Sequence, residues 1–273
     1  MKRNLFKFGV MALGLSLIAC DEDLGSSGQG SAEQALAESF LQAQSIFINS
    51  YNTVDLALRD STFLASDSTM INGAVIMRNV DSIIVDYGNG AISPNDGKTR
   101  KGAIRGFLTG DYIMAGALLS ADFVGYEVDD VSIDGNMTIQ NGGNDSIILN
   151  STSFIVDNEF TVVANQGLRW VSGFNTINDI EDDQYELAGL ITGTELTNNS
   201  ISVDITTPLY YDRMCDYGMV SGITDLTLTG DSTISFNSGV IDFLSSDGCN
   251  NNVSLTITTG SATLSFVKQF DGF

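Results

Sequence analysis

From Ile71 to the C-terminus apolar and polar residues alternate with a period of two, and that pattern leaves few folds open. Ile201-Ser-Val203-Asp-Ile205, Leu226-Thr-Leu228, Leu255-Thr-Ile257 and Leu264-Ser-Phe266 each send large side chains to one face of an extended strand and polar ones to the other. Half-buried strands of this kind belong to antiparallel sheets with one wet face. Further strands are expected at residues 83–87, 103–108, 118–124, 131–139, 160–163 and 187–192, with turns at Gly142-Gly143, Asn198-Asn199 and Asn250-Asn251. Gly, Asn, Ser, Thr and Asp are abundant while proline occurs only as Pro94 and Pro208, a balance suited to many turns between short strands.

Ahead of the strands the period is helical. Ser31-Ala-Glu-Gln34 fits a capping box, and Leu36, Phe40, Phe47, Tyr51, Val54 and Leu58 follow as one apolar stripe. The stripe is expected to pack on a sheet. A membrane-surface helix is the alternative, opposed by a polar face without lysine or arginine. The predicted fold is therefore mainly β, an antiparallel curved sheet or an open barrel or sandwich, with one N-terminal α-helix packed on it over residues 32–273. Two smaller β domains joined near residues 176–184, where Asp and Glu cluster, are the alternative.

The first residues set the location. Lys2, Arg3 and Lys7 precede an apolar run over residues 8–18 that is too short to span a bilayer. It ends in Leu17-Ile18-Ala19-Cys20, which resembles the lipobox of bacterial lipoproteins, where the cysteine is lipidated and becomes the first mature residue. The resemblance implies a signal peptide over residues 1–19, a lipid anchor on Cys20 and a Gly/Ser-rich linker over residues 20–31. An ordinary secretory signal with a cysteine near its cut is the other reading. Two or three acyl chains hold firmly where one is marginal. No later stretch has 18 continuous apolar residues, so the membrane is met through the lipid.

Asp21-Glu22-Asp23 resembles the acidic signal that sends Bacteroidota lipoproteins to the cell surface, although in enteric bacteria an aspartate here favours retention in the inner membrane. The expected location is the outer membrane, facing outward, with its periplasmic face as the alternative. The turn motifs Asp86-Tyr-Gly-Asn-Gly90, Asp96-Gly-Lys-Thr-Arg-Lys-Gly102 and Asp247-Gly-Cys-Asn250 resemble those of uncharacterised β-rich lipoproteins of the Bacteroidota, over about half of the mature chain. That family brings no known activity. Asp81-Ser-Ile-Ile-Val-Asp-Tyr87, Asp145-Ser-Ile-Ile-Leu149 and Asp231-Ser-Thr-Ile-Ser-Phe236 also echo one another, each expected to open a strand after a turn.

Charge and residue types narrow the chemistry. The net charge of -22 falls to -25 when Lys2, Arg3 and Lys7 are lost, and such a surface repels phosphate backbones, so nucleic acid is not an expected partner. Histidine is absent, which removes Ser-His and Cys-His catalysis and histidine-ligated metal within the chain. Apart from Cys20, Cys215 and Cys249 remain, and in an oxidising envelope they read as one disulfide. Asp-Ser followed by Thr or Ile, at Ser61, Ser68, Ser82, Ser146 and Ser232, resembles the O-glycosylation motif of Bacteroidota envelope proteins, and is equally good turn chemistry.

No residue pattern assigns a catalytic group, cofactor or metal. The acidic stretches at residues 86–96, Asp129-Asp130 with Asp134, and Glu181-Asp182-Asp183 miss EF-hand spacing and read as solvated loops. Lys98, Arg100, Lys101 and Arg105 form the basic cluster, there either to meet an acidic partner or to guard a strand edge. Trp170 reads as core. The expected function is a surface-displayed binding module for a protein or glycan, not an enzyme. A structural envelope component and a carboxylate hydrolase are the alternatives, the last needing two acids that face each other.

Overall fold

The computed structural model describes residues 30–60, 68–94, 96–215, 218–244, 249, 252–259 and 262–269. The leader, Cys20, the acidic triplet, Ser61 and Asn250-Asn251 lie outside them. One helix, α1 (Ser31–Arg59), precedes fifteen strands: β1 (Ser68–Ile71), β2 (Ala74–Arg78), β3 (Ser82–Asp86), β4 (Ala91–Ile92), β5 (Thr99–Thr109), β6 (Leu118–Val128), β7 (Val131–Gly143), β8 (Ser146–Val156), β9 (Phe160–Ser172), β10 (Gln184–Glu195), β11 (Ser200–Asp212), β12 (Met219–Thr229), β13 (Ser238–Phe243), β14 (Asn252–Thr259) and β15 (Ala262–Gln269). They form one antiparallel sheet in chain order, with the short β4 attached to β5. The sheet does not close: among the described residues β1 and β15 do not pair.

Alternation explains the strands one by one. In β11 Ile201, Val203 and Ile205 are buried while Asp204 and Thr206 face out, and Leu255 and Ile257 do the same in β14. Glycine bulges bend the long strands. Gly102 takes a positive φ of 68° where the β5–β6 register slips, and a Cβ there would meet the Gly125 carbonyl at 2.0 Å. Gly135 does likewise in β7, with φ at 94° and the Ser153 carbonyl at 1.8 Å. A bulge leaves one residue unpaired and increases the local twist. The sheet therefore coils, and α1 lies inside the coil.

The expected stripe of Leu36, Phe40, Phe47, Tyr51, Val54 and Leu58 is buried. Burial goes further than one face, because every residue from Ala43 to Tyr51 is buried, more than two full helical turns. Phe47 meets Phe154 of β8 edge to face at 5.2 Å, and Phe154 meets Phe123 of β6 at 5.3 Å. Such aromatic pairs add to the area they bury.

Three local expectations are corrected. Ser31 does not cap α1: the cap is Gly30, left-handed and without a side-chain hydrogen bond, and Gln34 donates instead to Glu38. Gly30 lies against Leu264 and Phe236, where a Cβ would come within 2.3 Å of the leucine side chain, so close packing selects glycine. Residues 231–236 are not a strand but a loop crossing the start of α1, where Ser235 and Phe236 donate backbone N–H groups to Glu33 Oε1. The turn expected at Gly142-Gly143 falls at Asn144-Asp145, both with positive φ as a two-residue type I′ hairpin demands.

An up-and-down sheet has two ends. The chain enters α1 at the end holding the turns after β8, β10 and β12, and α1 finishes at the end holding the β5–β6 loop (residues 110–117), the β7–β8 turn and the β9–β10 loop (residues 173–183). Arg59 Nε donates to the Ile177 carbonyl in that last loop at 2.7 Å.

Candidate functional site

The last three turns of α1 carry polar residues on two faces. Helical spacing puts Asn49, Asn52 and Thr53 on one, and Asp55 with Arg59 on another. Asp55 Oδ2 lies 3.2 Å from Arg59 Nη1 and 2.8 Å from Arg213 Nη2, while Oδ1 accepts from the Tyr112 hydroxyl at 2.8 Å. Asp183, whose side chain is 0% exposed, accepts from Arg59 at 2.5 and 3.3 Å and from the Tyr185 hydroxyl at 2.9 Å. Two carboxylates and two guanidiniums thus neutralise one another inside the sheet. Burial pushes the Asp183 carboxyl up from its ordinary range, against the pull of Arg59 and Arg213.

Strand register builds the aromatic side of this cluster. Trp170 of β9 faces Tyr185 of β10, and Tyr185 faces Tyr211 of β11. Their rings stack at 6.0 Å in both steps, as directly opposed residues on one face of a sheet can. The Arg59 guanidinium sits 4.7 Å above the Trp170 ring, and Arg213 lies between Tyr51 and Tyr185 at 5.3 and 5.5 Å. Burial, and then the Asp55 charge, raises the Tyr51 and Tyr112 hydroxyls well above their ordinary value of 10.0, so at neutral pH both are protonated donors.

Cavities flank the cluster on either side. The larger, about 370 Å³, opens between α1, the β5–β6 loop and the β9–β10 loop, with Asp55 and Arg59 at its floor. Ile113 and Phe174 stand about half exposed at its rim, and Asn144 and Asp145 supply polar edges. Both floor residues are spent on each other and on their partners. The Trp170 indole N–H is buried there without a hydrogen-bond acceptor. The smaller cavity, about 150 Å³, lies on the Asn49–Asn52 face of α1 and is lined by Arg100 and Arg213.

Residues predicted from sequence are redistributed by the fold. Asp183, expected in a solvated loop, is buried because Arg59 and Arg213 reach it from distant parts of the chain. The basic cluster disperses. Arg100 turns inward to Asp96 at 2.5 Å and Asn49 at 2.5 Å, Lys101 pairs with Glu127 and Asp130, and Arg105 faces out opposite Asp122. Trp170 packs on the core and also lines the larger cavity. Ser68, Ser82 and Ser146 open β1, β3 and β8, and Ser232 lies in an exposed turn. Cys215 and Cys249 are bonded, with Cα atoms 5.4 Å apart.

Sequence reasoning missed Asp55, Arg59 and Arg213. The available signal was an Asp and an Arg four residues apart within an apolar helix. The carboxylates brought together here, Asp55 and Asp183, are both held on arginine, so neither is presented as a free acid or base for hydrolysis. Among the described residues no group of three or more His, Cys, Asp or Glu side chains is placed to hold a metal ion, and no helix is long and apolar enough to cross a membrane. No family model matches the chain, and no curated protein or solved structure matches it either.

Proposed function

We propose that the chain is an envelope lipoprotein, anchored by acyl chains on Cys20, whose β domain displays a ligand-binding cleft on the outer face of the outer membrane. The observation that carries this reading is the polarity of the domain. The chain reaches α1 where Gly30 packs on Phe236 and Leu264, whereas the 370 Å³ cleft opens where α1 ends. The proposed tether would thus join the domain at the end opposite the cleft, and a Gly/Ser-rich linker would let the cleft point away from the bilayer.

The rim supports binding as well. Met114, Phe174 and Ile113 are exposed apolar side chains gathered on two loops beside the cleft. Exposed apolar groups gathered at a concave site favour a partner over water. Asp-Ser motifs at Ser68, Ser82, Ser146 and Ser232 are offered as O-glycan acceptors, with Ser61 as a fifth, and an unmodified intact mass from the native host would discard them.

Protease shaving of intact cells, with a periplasmic protein as leakage control, tests display. Peptides cut within residues 173–183 are expected in the supernatant, and full protection behind an intact outer membrane would overturn the outward orientation. Cys20→Ala is expected to move the protein out of the membrane fraction. Retention there would refute the anchor.

A further inference from the structure

We propose that the 370 Å³ cleft takes a small organic cation, an ammonium head on an apolar aryl or alkyl body, with the body inside and the head at the lip. This inference rests on the reading of the cleft as a binding site and names its ligand class.

The floor of the cleft has its charges already engaged. Arg59 spends Nε on the Ile177 carbonyl, Nη1 on Asp55 and Asp183, and Nη2 on Asp183. Asp55 holds Arg59 and Arg213 on one oxygen and the Tyr112 hydroxyl on the other. The Asn141 side chain is used as well, donating to the Tyr112 carbonyl at 3.4 Å and accepting from the Gly143 N–H at 2.9 Å. An anion could reach Arg59 only by displacing a carboxylate from a buried pair, which is costly. Around this closed floor Ile139, Ile147, Trp170, Phe174 and Ile177 form the walls. Phe174 and Ile113 are about half exposed, and covering them favours an apolar body.

Uncommitted charge lies at the lip. The charged residues that line the cleft are Asp55, Arg59 and Asp145. Asp145 is exposed in the β7–β8 turn, and among the described residues its carboxylate has neither a hydrogen bond nor an ion pair. The three segments that border the cleft, residues 110–117, 143–146 and 173–183, carry Asp111, Asp145, Asp179, Glu181, Asp182 and Asp183 but neither lysine nor arginine. Of these, Asp183 alone is paired with arginine among the described residues. Arg169, opposite Ser146 in the sheet, faces outward and is taken by Glu186. The potential at the mouth is therefore negative, and a cleft with apolar walls focuses it. An ammonium brings a positive charge and three donors to that lip, where a carboxylate or phosphate head would be repelled.

At about 30 Å³ per water the cleft holds roughly twelve waters, room for a body of about ten non-hydrogen atoms. Trp170 is the single tryptophan of the chain and lines the cleft, so its emission reports occupancy there.

The test titrates the full chain in a nonionic detergent with 4-phenylbutylamine, 4-phenylbutanol and 4-phenylbutyrate, which share one apolar body and differ in head charge. Detergent alone is the blank. Tryptophan emission is expected to shift with the amine at a millimolar or tighter Kd, with the alcohol about threefold weaker and the carboxylate weaker still at low salt. Sodium chloride at about 0.5 M should bring amine and alcohol together. Asp145→Asn keeps a residue suited to the positive φ of 59°, and is expected to remove the preference for the amine while leaving the alcohol unchanged. Phe174→Ala, at an exposed rim position, should weaken all three probes alike.

Equal or tighter binding of the alcohol or the carboxylate at low salt, or an amine preference that survives Asp145→Asn, would overturn the cation and leave the cleft a binding site. Affinities untouched by Phe174→Ala would put the probes elsewhere and overturn the assignment to this cleft. No change in emission with any of the three probes would overturn both the cation and the reading of the cleft on which it rests.

Discussion

Removing the Asp55 carboxylate tests whether the interior cluster holds the helix in its coil. Asp55 contacts Arg213 at 2.8 Å, Arg59 at 3.2 Å and the Tyr112 hydroxyl at 2.8 Å, with 1% of its side chain exposed. In Asp55→Ala two buried guanidiniums share Asp183 alone, and Arg213 is 3.8 Å from it. Breaking a buried pair while leaving its cation in place costs about 3–5 kcal/mol. For a chain of this length each kcal/mol lowers the melting midpoint by about 2–4 °C, so a fall of roughly 6–20 °C is expected. Urea denaturation followed by far-ultraviolet circular dichroism should show a lower midpoint with an unchanged slope. Arg169→Ala, which breaks an exposed pair with Glu186 on the outer face, is the control and should leave the midpoint almost unmoved. A loss below about 1 kcal/mol for Asp55→Ala would refute the reasoning, because the cluster would then behave like a surface pair.

Other consequences are open to measurement. Reduction of the Cys215–Cys249 bond, which spans 34 residues of sequence, should cost about 3–4 kcal/mol, read as a lower melting midpoint in dithiothreitol; an unchanged midpoint would mean that the bond does not constrain the unfolded chain. Burial raises the Asp96 carboxyl, but hydrogen bonds and charge from Arg100 outweigh it and leave the group below its ordinary 3.8. Its contribution is therefore present above 3.8 and lost as pH falls through the lower folded value, so Arg100→Gln should flatten stability against pH in that acid window. Burial raises the hydroxyls of Tyr51, Tyr87, Tyr112, Tyr126, Tyr185 and Tyr211. In an alkaline titration followed by tyrosinate absorbance these tyrosines should ionise above pH 10.0 together with unfolding, and reversible ionisation of all of them at about 10 in a folded chain would contradict their burial. Gly135→Ala forces a Cβ onto the Ser153 carbonyl and should severely destabilise the sheet, whereas Gly88→Ala, with nothing within 4 Å, should be tolerated far better despite the same sign of φ.

Local period carried the strands and the helix but not the way one encloses the other. Alternation in Ile201-Ser-Val203-Asp-Ile205 assigns faces within a strand, and it is silent on whether the sheet is flat or coiled. The coil follows from bulges at positions such as Gly102 and Gly135, whose need for glycine is set by carbonyls of the neighbouring strands. The same limit explains residues 231–236, which alternate well enough for a strand until Glu33 at the far end of the chain claims two of their N–H groups. Asp183 looked solvated beside Glu181 and Asp182, and only the approach of Arg59, 124 residues earlier, makes its burial affordable. Asn72-Gly73, by contrast, was legible and passed over: both residues take positive φ in the β1–β2 turn, as that dipeptide usually announces.

Glu33 also sets an order of events. Apart from the short β4, each strand pairs with the next along the chain, so the sheet can lengthen one hairpin at a time without closing any long-range loop. α1 is made first, yet Ser235 and Phe236, which cover its beginning, come 202 and 203 residues later. A growing or translocating chain must therefore carry a helix whose first turn, at Gly30 and Glu33, has no finished surroundings until the last quarter of the sheet arrives. The slow and aggregation-exposed stage of making this protein is thus the wait of its first element for its last.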